Sequence, residues 1–248
     1  METTDESNPP RTHRRQIVLR GVGALSLATL LALGADAALA SHRTISSSQA
    51  QSVATAIGLR HSDLPSLSQQ SNPITAQERL LNAQLTTCVG GVPDSKALGE
   101  AQSPSFASSG NSSVTVNSDT EILPSASLVA KDLASITGSR GLPCLQAQLA
   151  GQLRSSISKG ETLTIHGARF PSVVSGSDGT FAIRFSVVVH ATSGTSTVSV
   201  PLYADSIGFA YGQAEVSFSV VETGAKPSAA LERRLAALLV VRARAAIG

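Results

Sequence analysis

Few side chains in this chain carry obvious chemistry. Cys88 and Cys144 are its two cysteines, too few for a four-cysteine zinc site or a cysteine-ligated iron–sulfur cluster. In an exported protein an even pair reads as a disulfide, and the alternative is two buried thiols. Neither has a local motif or a neighbouring base that would make it a nucleophile. His166 and His190 fall on polar positions of two predicted strands, where suitable pairing would bring them together as a metal or proton-transfer pair. No further ligand is at hand, so no metal site is predicted. Serine is abundant, yet there is no G-x-S-x-G elbow, H-E-x-x-H, Walker loop or C-x-x-C. Gly176-Ser177-Asp178-Gly179 reads as a hairpin turn. No catalytic residue and no cofactor is expected.

The remaining chemical candidate is a surface. Arg184, Ser186, His190, Thr197, Ser199, Tyr203, Ser217 and Ser219 sit at alternate positions of predicted strands. On one sheet face they would offer hydroxyls and a positive charge to an anionic or glycan-like ligand, with Arg184, His190 and Tyr203 as the binding residues. The competing reading is a sheet face kept wet. Aromatics make up 3% of the chain and tryptophan is absent, which leaves few rings for sugar or base stacking.

The elements that must position these groups change period along the chain. Thr75-Ala76-Gln77-Glu78 is a capping-box sequence, after which Leu81, Leu85 and Cys88 share a helical face until Gly90-Gly91. Val114 and Val116 alternate as in a strand. Helices are predicted over 125–137 and from Pro143 to Gly160, which puts Cys144 in a first turn within reach of Cys88. From 161 to 221 the period is two, broken by Ser193-Gly194 and Tyr211-Gly212-Gln213, as in an antiparallel meander with one apolar and one polar face. A closing helix over 228–247 would lay Leu231, Leu235, Leu238 and Leu239 on the apolar face and leave Arg233, Arg242 and Arg244 in water. The fold class is α+β: a meander sheet packed by several helices, in a single domain over 74–248.

Two segments precede that domain. Residues 1–40 run from a polar stretch ending in Arg14-Arg15, through the uncharged Gly21–Gly34, to Ala38-Leu39-Ala40, the order of a signal peptide cleaved between Ala40 and Ser41. Arg14-Arg15 with the following polar and apolar residues resembles a twin-arginine export signal, and the generic basic leader is the alternative. The apolar core is shorter than the roughly 20 residues of a membrane span. Cleavage therefore leaves no stable span, and retention would leave the protein membrane-anchored. Residues 41–73, rich in Ser and Gln and interrupted by Pro65 and Pro73, read as an arm with a short helix. The whole chain carries 19 Lys+Arg against 17 Asp+Glu, without the concentrated basic excess of a nucleic-acid binder.

Several of these features occur together elsewhere. Cys88 and Cys144 flank Ser103-Pro104-Ser105-Phe106 and Val114-Thr115-Val116, and Ser139-Arg140-Gly141-Leu142-Pro143-Cys144-Leu145 opens a helix. Tyr203-Ala204-Asp205-Ser206, Gly212 and the Leu231–Arg242 helix follow. Over about residues 75–247 this layout resembles small exported actinobacterial envelope proteins with a PsbP-like or extracellular kinase sensor-domain fold. The resemblance supplies no catalytic residues, and the lipid-bearing cysteine of the family's lipoproteins is missing here. It implies binding, sensing or envelope assembly, with a lipid, an anionic envelope ligand or an envelope protein as partner, in a secreted or extracytoplasmic location. Two rivals stand beside it. One is an envelope hydrolase or transferase, which needs a Ser or His beside a carboxylate such as Asp205 or Glu215. The other is a protein-interaction module.

Overall fold

The computed structural model describes residues 42–108, 113–154, 158, 161–193 and 196–248, with backbone alone at 191–193 and 196–198. The leader, with Arg14, Arg15 and the Ala40–Ser41 junction, lies outside the described residues. The elements run α1 (Ser47–Ile57), β1 (Ser68–Gln70), α2 (Ala76–Val89), β2 (Gly99–Gln102), β3 (Ser105–Ala107), β4 (Val114–Ile122), α3 (Ala126–Thr137), α4 (Gly141–Arg154), β5 (Thr162–Arg169), β6 (Gly179–Ser193), β7 (Ser196–Tyr211), β8 (Ala214–Thr223) and α5 (Ala229–Ile247). The class is α+β. The strands form one antiparallel sheet in the order β1-β3-β4-β8-β7-β6-β5, and β2 pairs with β4 further along the edge that β3 occupies.

Local signals explain many of the boundaries. The Thr75 hydroxyl accepts from the Glu78 N–H at 3.2 Å while the Glu78 carboxylate accepts from the Thr75 N–H at 2.6 Å, and Gly90, at φ +78°, ends α2. Ser125 caps α3. Arg169, at the end of β5, donates to the carbonyls of Ile136, Thr137 and Gly138, tying the negative end of α3 to the sheet.

The expectation of one apolar and one wet face is corrected: helices cover both. Phe181, Ile183, Phe185 and Val187 of β6 face α3 and α4, joined by Leu133, Ile136, Leu145 and Leu149. Ile207, Phe209, Val216, Phe218 and Val220 face α1 and α5, joined by Ala50, Ala54, Leu235 and Leu239. β8 is buried from Ala214 to Val221 because it lies in the middle of this sandwich.

Residues 42–73, expected as an arm, behave differently in the fold. Ile45, Ala50, Ala54, Ile57, Leu59 and Leu64 are all buried in the core shared with α5. Small residues make this approach possible. A Cβ on Gly99 would lie 2.5 Å from the Ala50 and Gln51 backbone. The Gln51 side chain donates to the Glu100 carbonyl at 2.7 Å, covering part of the open edge of β2.

Candidate functional site

Cys88 and Cys144 form a disulfide joining α2 to α4, with Cα atoms 5.9 Å apart. The Gln148 side chain adds a 3.1 Å hydrogen bond to Asn82. α2 buries only Leu85 and Val89 and leaves most of its surface exposed. The disulfide thus holds a weakly packed helix in place.

The reason α2 packs weakly lies beneath it. The face that is apolar along β6 becomes polar on β4 and β8, which carry Asn117, Asp119, Glu121, Glu215, Ser217 and Ser219 there. Register places Glu100 of β2 opposite Glu121 of β4, and Glu121 opposite Glu215 of β8, so three glutamates form one row across three strands. Like charges directly opposite one another repel. Asn82, Leu85 and Thr86 of α2, with Asp94 from the turn before β2, close a small cavity over this row, together with Asp119 and Ser217.

The cavity changes the acids that line it. Burial, then the charges of Asp132, Asp94 and Glu100, push the Glu121 carboxyl up to about 8. Its Oε1 is buried without a hydrogen-bond partner. Burial and Asp94 raise Glu100, against an opposing pull from Arg79. Asp132, only 1% exposed, is occupied structurally, since it accepts the Val92 N–H and fixes the chain leaving α2. No histidine lines the cavity. Sequence reading missed this site, because the row exists only once β2, β4 and β8 are paired.

The expected ligand face is divided. Ser217 and Ser219 point to the α2 side and are buried, and Ser219 donates to Asn117. Arg184, Ser186, His190, Ser199 and Tyr203 share the opposite face. Arg184 grips Asp205 through both nitrogens, one bond measuring 2.6 Å, and stacks 5.1 Å over Phe170. That guanidinium is already engaged, and Asp205 is fully buried. Glu232 of α5 shares this pocket. Burial, then its hydrogen bond to Asp205, raise its carboxyl to about 8 and outweigh Arg184, which lies 3.8 Å away.

Tyr203 lies in the next row, opposite Ser186 and Glu222, and is half-buried. His190 bonds Ser199 at 2.8 Å at the far end of the β6–β7 hairpin. The side chain of Thr197 falls outside the described residues. His166 pairs with Ser186 and His190 with Thr162, four residues apart in register, or about 13 Å. They do not meet, and among the described residues no group of three metal-binding side chains converges. Of the carboxylates a hydrolase would use, Asp205 is bound to Arg184, and Glu215 lies beside Ser217 in the cavity without a histidine. Arg242, expected in water, is instead held by Asp63 through two 2.8 Å bonds.

Comparison with known proteins adds little. No family model matches the chain, and no curated protein matches it. Among solved structures it is similar to the extracellular domain of PknH from Mycobacterium tuberculosis. The identity is 12%, 82% of this chain and 99% of that one are covered, and the TM-score is 0.40. At this TM-score and identity the similarity carries no functional assignment. Among the described residues no helix is long and apolar enough to cross a membrane.

Proposed function

We propose that this is an exported binding or sensor-like protein of the bacterial cell envelope, which receives its ligand in the cavity beneath α2. The observation that carries this reading is the disulfide that pins α2 across a row of carboxylates. A structural disulfide belongs to an oxidising compartment, in keeping with the leader. The sheet has no need of a polar cavity for its own stability, since burying unneutralised acids is costly. An acid wall disfavours an anionic ligand at this place. The cavity volume, about 40 Å³, admits a single small head group. A ligand bearing a primary ammonium fits that space and charge, and its positive charge would favour ionisation of Glu121, whose proton leaves to solvent.

The test uses the oxidised protein and simple primary amines, methylamine and ethanolamine, followed by thermal shift. Stabilisation is expected to grow as the pH rises from 6 towards the value of about 8 at which Glu121 ionises. It should disappear in Glu121→Gln. Equal shifts in both proteins, or none in either, would defeat the cavity as a binding site. An envelope protein partner is the second reading. The large apolar side chains exposed among the described residues are Leu80 and Val241, on different helices, so they do not form a shared apolar patch for it.

A further inference from the structure

The outward face of α5 combines arginines with small apolar side chains. Seen down the helix, Ala230, Arg233, Arg234, Ala237, Val241 and Arg244 fall on one arc of about 100° at 3.6 residues per turn. All six are exposed, and Val241 is 62% exposed. The acid of this helix, Glu232, points inward to Asp205, and Arg242 turns aside to Asp63. What remains outward is a short apolar strip flanked by arginines, about 21 Å long by the helical rise.

This strip ends where the leader joins the domain. The Arg43 N–H donates to the Ile247 carbonyl at 2.8 Å, and the Ile45 N–H to Gln213 at 2.6 Å. Residue 42 is therefore fixed beside the C-terminal end of α5, with the exposed Arg43 next to Arg244's end of the strip. The nearby Asp178 accepts the Gly212 N–H at 2.7 Å and lies 3.0 Å from His42. Seven residues, 35–41, separate His42 from the apolar Gly21–Gly34 run, a reach of at most about 25 Å. Any membrane that holds the leader lies within that distance of α5.

We propose that the outer face of α5 docks on the anionic headgroup surface of the membrane from which the leader emerges. The inference rests on the exported-protein reading with the leader retained, but not on the cavity. Arginines near an anionic surface each strengthen attachment about fivefold, the equivalent of about 1 kcal/mol, and Val241 with the alanines gives the helix its shallow apolar contact.

Full-length protein is incubated with vesicles of phosphatidylcholine, with and without phosphatidylglycerol, and sedimented. The leader's apolar run binds both vesicles, so the readout is the difference between them. Binding to the anionic vesicles should exceed binding to the neutral ones and fall with salt. The triple variant Arg233→Gln, Arg234→Gln, Arg244→Gln should lose on the order of 100-fold of that excess. A matched triple on the opposite layer, Lys131→Gln, Arg140→Gln, Arg154→Gln, carries the same charge change and should keep it. Equal loss in both triples would overturn the proposal, as would vesicles bound alike whatever their charge. Displacement by soluble glycerol phosphate would assign the strip to a free phosphate instead and also overturn it. Unchanged melting of both triples, all six sites being exposed, confirms folding. The amine response should survive in the α5 triple, which separates failure here from failure of the cavity reading.

Discussion

Arg184, Asp205 and Glu232 show how one buried charge constrains its neighbours. Asp205 has no exposed surface and Arg184's side chain is 24% exposed, so the pair neutralises itself inside the sandwich. Glu232 then stays protonated and donates to Asp205. Removing one partner of such a pair leaves an uncompensated buried charge, whereas replacing a neutral acid by an amide preserves the hydrogen bond. Asp205→Ala is expected to destabilise the fold by about 3–5 kcal/mol in urea titrations. Glu232→Gln should bring no loss of stability at neutral pH, because the amide keeps the hydrogen bond to Asp205 and no proton has to be taken up on folding. A large loss in the glutamine variant would show that Glu232 is ionised.

At the scale of elements, α2 depends on one covalent tie more than on its core. It buries two apolar side chains, and its underside faces carboxylates rather than a packed layer. The disulfide closes a loop with a sequence separation of 56, for which chain entropy gives about 4 kcal/mol. The double variant Cys88→Ala, Cys144→Ala should lose about that much by denaturant unfolding. Amide exchange in α2 should accelerate by a larger factor than in β7 or β8, because local opening no longer has to drag α4 with it. Uniform acceleration through the domain would mean that α2 unfolds only with the whole.

For the molecule as a whole, Glu121 and Glu232 set the pH response in the same direction. Each has a folded value of about 8 against an ordinary 4.5, so the folded state binds more protons than the unfolded chain between those limits. Their contribution to stability is present below about 4.5 and is lost as the pH rises through 8. Asp63 works the other way. Burial raises its carboxyl, but Arg242's hydrogen bonds and charge more than offset this and leave it below the ordinary value. Its contribution is held at neutral pH and lost in acid. The melting temperature should therefore peak in mild acid and fall between about pH 4.5 and 8. The fall should be smaller in the Glu121→Gln, Glu232→Gln double variant. A melting temperature that rises over this range would contradict the two raised glutamates.

Much of this was legible in order. The capping box of α2, the helix α3, the β5–β8 meander and the closing helix follow from local spacing and turn chemistry, and the cysteine pairing from there being two cysteines in an exported chain. The side to which each strand residue points was the part misread. The β6–β7 and β7–β8 hairpins have two-residue loops, with Ser193 opposite Ser196 and Tyr211 opposite Ala214, so the inward parity reverses at each of these turns. Two reversals return β8 to the parity of β6, so the odd-numbered Ser217 and Ser219 face away from the even-numbered Arg184. Loop length alone could have shown it. No local rule could have shown the glutamate row, because Glu100, Glu121 and Glu215 meet only through pairings remote in sequence, or that Ala50 and Ala54 bury a segment that looks like an arm. Sequence by itself determined the class and most of the elements, since these depend on neighbours three or four residues away, and pointed to the clamp because two cysteines in an oxidising compartment have each other as partners. Tertiary structure decided which acids face one another and which arginines remain outside, because charge and burial are set by strand register and layer, not by spacing along the chain.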